Sequence, residues 1–190
     1  MRIQVSDLSL SYEKEQSDFL REIALLNDQY NGTDESALVL AYNIAHKYST
    51  CRLCGVGKGV GAIISDGNRI VDFGYNGVSR YISQCTKTTC IRSVCNIPDH
   101  TNRDICYGDC AEKKAISNAC RYGIKLVGAI AYLTKSPCIS CTKLLIDVGI
   151  KKIVYHREYS QPEFSNKLMD MAGVKIYQCN STILNKLVEL

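Results

Sequence analysis

Two stretches, Cys110-Ala-Glu112 and Ser136-Pro-Cys138-Ile-Ser-Cys141, constrain the fold of this chain more than its composition does. Each leads into apolar residues at helical spacing: Ala111, Ala115, Ile116, Ala119 and Cys120 run to Gly123, and Leu144, Leu145 and Val148 run to Gly149. A glycine just past the last periodic residue is the usual C-terminal cap, and Pro137 suits the first turn of the second helix. Strand-like runs at 129–134 and 152–156 follow the first and the second helix in turn. The pattern predicts two helices that open on thiols within a strand–helix alternation, and that alternation implies a mostly parallel sheet covered by helices.

This placement has a chemical meaning. Thiols on the first turn of a helix meet exposed N–H groups, which favour the thiolate. Cys138 and Cys141, three positions apart, can reach one ion, and Cys110 can supply a third ligand. Zinc with three protein ligands keeps one open position, as catalytic rather than structural sites do. Glu112, two residues past a ligand, would lie beside that position and could carry protons without binding the metal. The competing readings are a closed four-cysteine site and a chance Cys-x-x-Cys. The glutamate, the proline and the order of elements weigh against both.

The remaining segments continue the alternation. Residues 1–35 read as an N-terminal helical extension, with Phe19, Leu20, Ile23, Ala24 and Leu26 at roughly helical spacing before Asn31-Gly32. Residues 36–190 read as the main domain, whose first helix is capped at Thr33-Asp34 and carries Leu38, Leu40, Ala41, Ile44 and Ala45 toward Tyr48. A hairpin of strands 60–64 and 69–75 turns at Ser65-Asp66-Gly67-Asn68. Helix 163–171, strand 174–177 and a last helix from Thr182 close the chain. The segment 78–109 is poor in aliphatic residues and rich in cysteine, a long insertion that something other than an apolar core must order.

Composition narrows the function. Eleven cysteines, an odd number in a chain with no secretory pattern at its start, fit thiols kept reduced in a cytoplasm better than a disulfide framework. No run approaches the roughly 18 apolar residues of a membrane span. The net charge of +4 is dispersed, so a small anion is expected as ligand rather than a nucleic-acid polymer. Cys85, Cys90, Cys95 and His100 are each separated by four residues, and Cys51, Cys54 and Cys106 add to the potential ligands of a second, closed zinc site. Cys120 and Cys179 read as buried or partly buried free thiols, and His46 and His156 as unexceptional.

Cys-x-Glu followed by Pro-Cys-x-x-Cys is the signature of zinc nucleobase deaminases in its three-cysteine form. With Ser49-Thr50-Cys51, the run VGAIIS before the hairpin turn, and Gly74-Tyr75-Asn76-Gly77, the stretch from about Glu35 to Tyr177 resembles the deoxycytidylate (dCMP) deaminases of the cytidine deaminase superfamily, particularly viral and bacterial ones. The resemblance implies a three-layer α/β sandwich with a mixed five-stranded sheet, and zinc-dependent hydrolysis of dCMP to dUMP and ammonia. It also implies a homo-oligomer, with a hexamer favoured, dCTP and dTTP as effectors with Mg2+, and a cytoplasmic location, in the host if the protein is viral. By the same resemblance Asn76 would bond the deoxyribose and Arg121 would lie near the phosphate. Ala111 and Ser136 would contact substrate, and Tyr155 would line the base pocket unless it is simply core. A second structural zinc, seen in some viral members, would draw on the insertion cysteines. The chain departs from the family in Cys110 where histidine is usual, Lys114 where asparagine is usual, and Val78-Ser79-Arg80 where the loop usually holds proline. Three thiolates leave a negative centre, and Lys113, where small cytidine deaminases carry arginine, would compensate it. The alternatives are deamination of a modified dCMP or of deoxycytidine, and a non-catalytic zinc-binding module.

Overall fold

The computed structural model describes residues 5–189 except 54, 56, 99, 100 and 161. Helices α1 (Val5–Gln29), α2 (Asp34–Tyr48) and α3 (Thr50–Leu53) precede strands β1 (Gly61–Ser65) and β2 (Ile70–Tyr75). The short strands β3 (Gly77–Val78) and β4 (Gly108–Asp109) pair across the insertion, which holds α4 (Ile91–Val94) and a 3-10 turn (Arg103–Ile105). There follow α5 (Ala111–Tyr122), β5 (Ile130–Lys135), α6 (Ile139–Asp147), β6 (Lys152–Arg157), α7 (Pro162–Met171), β7 (Lys175–Gln178) and α8 (Thr182–Glu189).

The five-stranded sheet runs β2-β1-β5-β6-β7. It is mixed rather than mostly parallel. The hairpin makes β2 antiparallel to β1, and β5 joins the other edge of β1 antiparallel as well. Only the crossovers through α6 and α7 produce parallel neighbours, because a parallel pair needs a long connection that returns the chain to the same end of the sheet.

Alternation along the strands sorts the core into two layers. Ala62, Ile64, Ala131, Leu133, Ile153 and Tyr155 face α5, α6 and α7. Ile63, Phe73, Tyr132 and Val154 face α1, α2 and α8. Full burial of each large apolar side chain contributes about 1.5–3 kcal/mol. Two glycines let helix backbone rest directly on the sheet. A Cβ at Gly61 would stand 1.9 Å from the Ala41 carbonyl oxygen of α2, and one at Gly74 would stand 2.1 Å from that of Ala111 and 2.7 Å from the Ala115 nitrogen of α5.

Local signals hold at the helix ends. The Thr33 hydroxyl accepts from the Ser36 amide at 3.1 Å and caps α2, while Gly123 ends α5 in the left-handed region at φ +68°. Pro137 lies just before the capping residue of α6, Cys138, instead of inside its first turn. On α1, Phe19 stacks on Phe73 and Tyr122 and Leu26 is buried, but Leu20 and Ala24 face solvent, because the helix touches the domain along a single stripe. Cys120 is exposed, off the apolar stripe of α5, and Cys179 is half-buried.

His156 is more than a packing residue. The Tyr42 hydroxyl donates to its Nδ1 at 2.8 Å, and its Nε2 donates to the Asn185 side-chain oxygen Oδ1 at 3.0 Å, which ties β6 to α2 and α8. Burial holds its pKa below the ordinary 6.5, and His46 is lowered by burial too. The unfolded chain therefore binds protons first as pH falls below 6.5, so stability is lost from there down through the lowered folded pKa. His156→Gln is expected to flatten part of that slope, read as urea midpoints at pH 7.5 and pH 5, with His46 contributing in the same direction; parallel pH curves would refute this. Gly74→Ala is expected to cost about 1–3 kcal/mol by overpacking and to lower Tm by several degrees in a melt of the zinc-loaded protein.

Candidate metal centre and its cavity

Cys110 and Cys138 are the capping residues of α5 and α6, both in extended backbone, with φ −68° and ψ 156° for Cys110 and φ −70° and ψ 163° for Cys138. Neither side chain caps its own helix. Cys141 sits one turn into α6 and is fully buried. The three sulfurs lie within 4.8 Å of one another, and among the described residues no other group brings three such ligand atoms together.

The charge balance of this cluster identifies the group it suits. Hydrogen bonds from Cys110 and Cys141, joined by the Cys141 and Ser140 amides, pull the Cys138 thiol strongly down. The same bond to Cys138 pushes Cys110 up, and bonding to Cys110 and then Cys138 pushes Cys141 up. Without a cation the cluster favours one thiolate and two thiols. A divalent ion lets all three ionise. Sulfurs about 2.3 Å from a tetrahedral zinc stand roughly 3.8 Å apart, so the observed cluster fits zinc with one position left open.

Glu112, in the first turn of α5, is 4% exposed and lines the same cavity. It reaches that place because α5 is pressed against β2 at Gly74 and clamped along its length. The Asn118 amide donates to the Phe73 carbonyl at 3.0 Å, and the Lys114 ammonium donates to the Val78 carbonyl while lying 5.0 Å over the Tyr75 ring. Lys114 is thus half-buried and off the cavity wall; burial lowers its pKa and its ammonium is held by the end of β3, where the following loop begins. That loop is stitched to the residue before Cys110, since the Ser79 hydroxyl donates to the Asp109 carboxylate at 2.7 Å.

The cavity has a volume of about 770 Å3 and is lined by Asn76, Ala111, Lys113 and Ser136 among the sequence-predicted residues. The Asn76 oxygen accepts from the Val60 amide and the Ser49 hydroxyl, each at 2.7 Å, and its amide nitrogen donates to the Lys58 carbonyl at 3.2 Å. Gly74-Tyr75-Asn76-Gly77 is therefore a packing device as well as a wall of the site. Arg121 is not brought to the cavity. It stands eleven positions beyond Cys110, roughly 16 Å along the helix axis, where the Glu15 carboxylate of α1 binds it at 3.1 Å. Tyr155 packs in the core layer rather than on the cavity wall. Of the second-metal candidates, Cys51, Cys85, Cys90 and Cys106 line the cavity, Cys95 is exposed, and Cys54 and His100 lie outside the described residues.

Among the wall residues that escaped the sequence reading are Lys135, Arg157 and Tyr159. Their signal was positional. All lie at or just beyond the C-terminal ends of β5 and β6, the edge at which open α/β sheets hold ligands.

Comparison with known proteins gives the same fold. A dCMP deaminase of the cyanophage S-TIM5 superposes with a TM-score of 0.58 at 21% identity, covering 77% of this chain and 96% of that one. The same phage protein is known in complex with dCMP and dUMP. The deoxycytidylate deaminase of Schizosaccharomyces pombe is 31% identical across 84% of this chain and 48% of its own length, and that of Enterobacteria phage T2 is 28% identical across 75% and 89%. ComE operon protein 2 of Bacillus subtilis is 34% identical across 63% of this chain and 59% of its own length. The chain thus spans about half the length of several of the curated relatives it matches. Residues 32–157 match the cytidine and deoxycytidylate deaminase zinc-binding region, and the thiol cluster, the buried glutamate and the mixed sheet all lie within or across that stretch: the chain belongs to this family.

Proposed function

We propose that this chain is a zinc-dependent deaminase that hydrolyses dCMP to dUMP and ammonia. The observation that carries the reading is the buried carboxylate of Glu112 beside three converging thiols, two of which, Cys110 and Cys138, line the same cavity as the carboxylate. When bound at Cys110, Cys138 and Cys141, zinc would supply the Lewis acidity that brings the pKa of a water toward neutrality. The chain's own groups do the rest. Glu112 takes a proton from the attacking water and delivers it to N3 of the cytosine ring, so that C4 accepts the oxygen. The same carboxylate then carries the remaining proton of the C4 hydroxyl to the C4 amine, so that the C–N bond breaks, ammonia leaves and the C4 carbonyl forms. Asn76 and Ala111 line the space for sugar and base, and the buried Ser136 closes the side toward α6.

Lys113, half-buried on the cavity wall, compensates the negative charge of the thiolates. A second, structural zinc drawn from Cys51, Cys54, Cys85, Cys90, Cys95, His100 and Cys106 orders the insertion within the deaminase domain of residues 36–190; the presence of Cys51, Cys85, Cys90 and Cys106 along one cavity supports this, their sulfurs drawing together only on the ion. The family likeness alone supports a homo-oligomer, dCTP and dTTP as effectors with Mg2+, and a cytoplasmic location.

Glu112→Gln is expected to lower kcat for dCMP about 10²–10⁴-fold. Zinc content should not change, and loss of zinc with activity would point to a ligand rather than a proton carrier. Metal analysis of protein never exposed to chelator is expected to give two zinc ions per chain, falling by one in Cys90→Ser and by one in Cys138→Ser. One ion in the unsubstituted protein would remove the structural site.

A further inference from the structure

A nucleotide in this cavity needs a receptor for its phosphate; the neighbouring cations off the cavity wall, Arg121 and Lys114, are committed elsewhere, and of those on the wall Lys113 is assigned to the thiolates while others lie on the insertion side. Arg121 is held by Glu15, Lys114 by the Val78 carbonyl, and Arg92 donates to the Thr101 and Pro98 carbonyls of the insertion. Lys58 and Lys87 are exposed on the insertion side.

Lys135 and Arg157 are placed differently. They are register partners at the C-terminal ends of the parallel strands β5 and β6. Parity puts both on the metal side of the sheet, since Ala131 and Leu133 precede Lys135, and Ile153 and Tyr155 precede Arg157, at every second position of that core layer. Neighbouring strands lie about 4.8 Å apart, so these register partners set two like charges side by side, an unfavourable arrangement on its own. An anion between them turns that repulsion into attraction, and an arginine fork beside a lysine suits phosphate oxygens. The rim is also rigid. The Ser136 amide donates to the Arg157 carbonyl at 2.7 Å, the Tyr159 amide donates to the Ser136 hydroxyl at 2.8 Å, and the Lys135 ammonium lies 4.9 Å over the Tyr159 ring. Two residues further along, Cys138 opens α6 with its sulfur in the metal cluster.

We propose that Lys135 and Arg157 together bind the 5′-phosphate of the substrate and set the preference for a nucleotide over a nucleoside. The assignment rests on the nucleotide reading given above. It moves the phosphate from Arg121, at the far end of α5, to the mouth of the parallel strands.

The test uses the full zinc-loaded chain and the variants Lys135→Gln, Arg157→Gln, Lys135→Arg and Arg157→Lys. For each, kcat/KM is measured for dCMP and deoxycytidine, and equilibrium binding for dUMP and deoxyuridine. Each glutamine variant is expected to lower the dCMP-to-deoxycytidine ratio about tenfold or more, with most of it retained when the charge is kept. An unchanged ratio, or equal loss for both substrates, overturns the assignment and leaves the deaminase reading intact. If the unsubstituted protein converts neither cytosine compound, the deaminase reading falls and binding decides alone. A preference for dUMP over deoxyuridine that vanishes in the glutamine variants supports the phosphate site, whereas no such preference in the unsubstituted protein overturns it.

Discussion

The backbone of α5 lies on β2 at Gly74 with no side chain between them, and the active geometry depends on that contact. The helix carries Cys110 at its cap and Glu112 in its first turn, whereas Cys138 and Cys141 arrive on α6 from the other side of β1. A cluster within 4.8 Å assembled from two helices tolerates little slack in either. The clamps around Gly74, namely the Asn118 amide on the Phe73 carbonyl and the Lys114 ammonium on the Val78 carbonyl, hold the same helix from its other turns. Close packing then transmits any disturbance of β2 to the metal ligands, because protein interiors leave no void to absorb it.

Charge is distributed with similar economy of placement. The thiol cluster gathers negative charge at two helix N-termini, where exposed amides favour it. Several cations nearby have structural duties. Glu15 of α1 holds both Arg80, at 2.5 Å, and Arg121, at 3.1 Å, while the Tyr12 ring covers the Arg121 guanidinium at 4.9 Å. The N-terminal helix thereby ties the loop after β3 to the end of α5, and it does so with charges that would otherwise be candidates for substrate.

The elements were readable from the chain because their signals are local. The cap at Thr33, the hairpin turn at Gly67, the stop at Gly123 and the thiols at two helix starts each depend on a few neighbouring residues. Where a prediction needed knowledge of what lay opposite, it weakened. Leu20 and Ala24 of α1 face solvent, Cys120 lies off its helix's buried stripe, and beside the predicted hairpin the sheet holds an antiparallel pairing of β1 with β5 that a strand–helix alternation does not announce. His156 reads as an ordinary histidine until Tyr42 and Asn185, 114 and 29 residues away, are placed on its two nitrogens.

By itself the sequence determined the candidate groups and their local setting: three thiols and a carboxylate at the starts of two helices, within a strand–helix alternation. Those features follow from hydrogen bonding and side-chain entropy within a turn or two of the chain. Only the tertiary structure decided which charges face the cavity. Arg121 is captured by a residue 106 positions earlier and Lys114 by one 36 positions earlier, while strand register sets Lys135 beside Arg157 on the metal side of the sheet. Pairings between groups so distant in the chain are settled by how the packed layers meet, and no local preference encodes that.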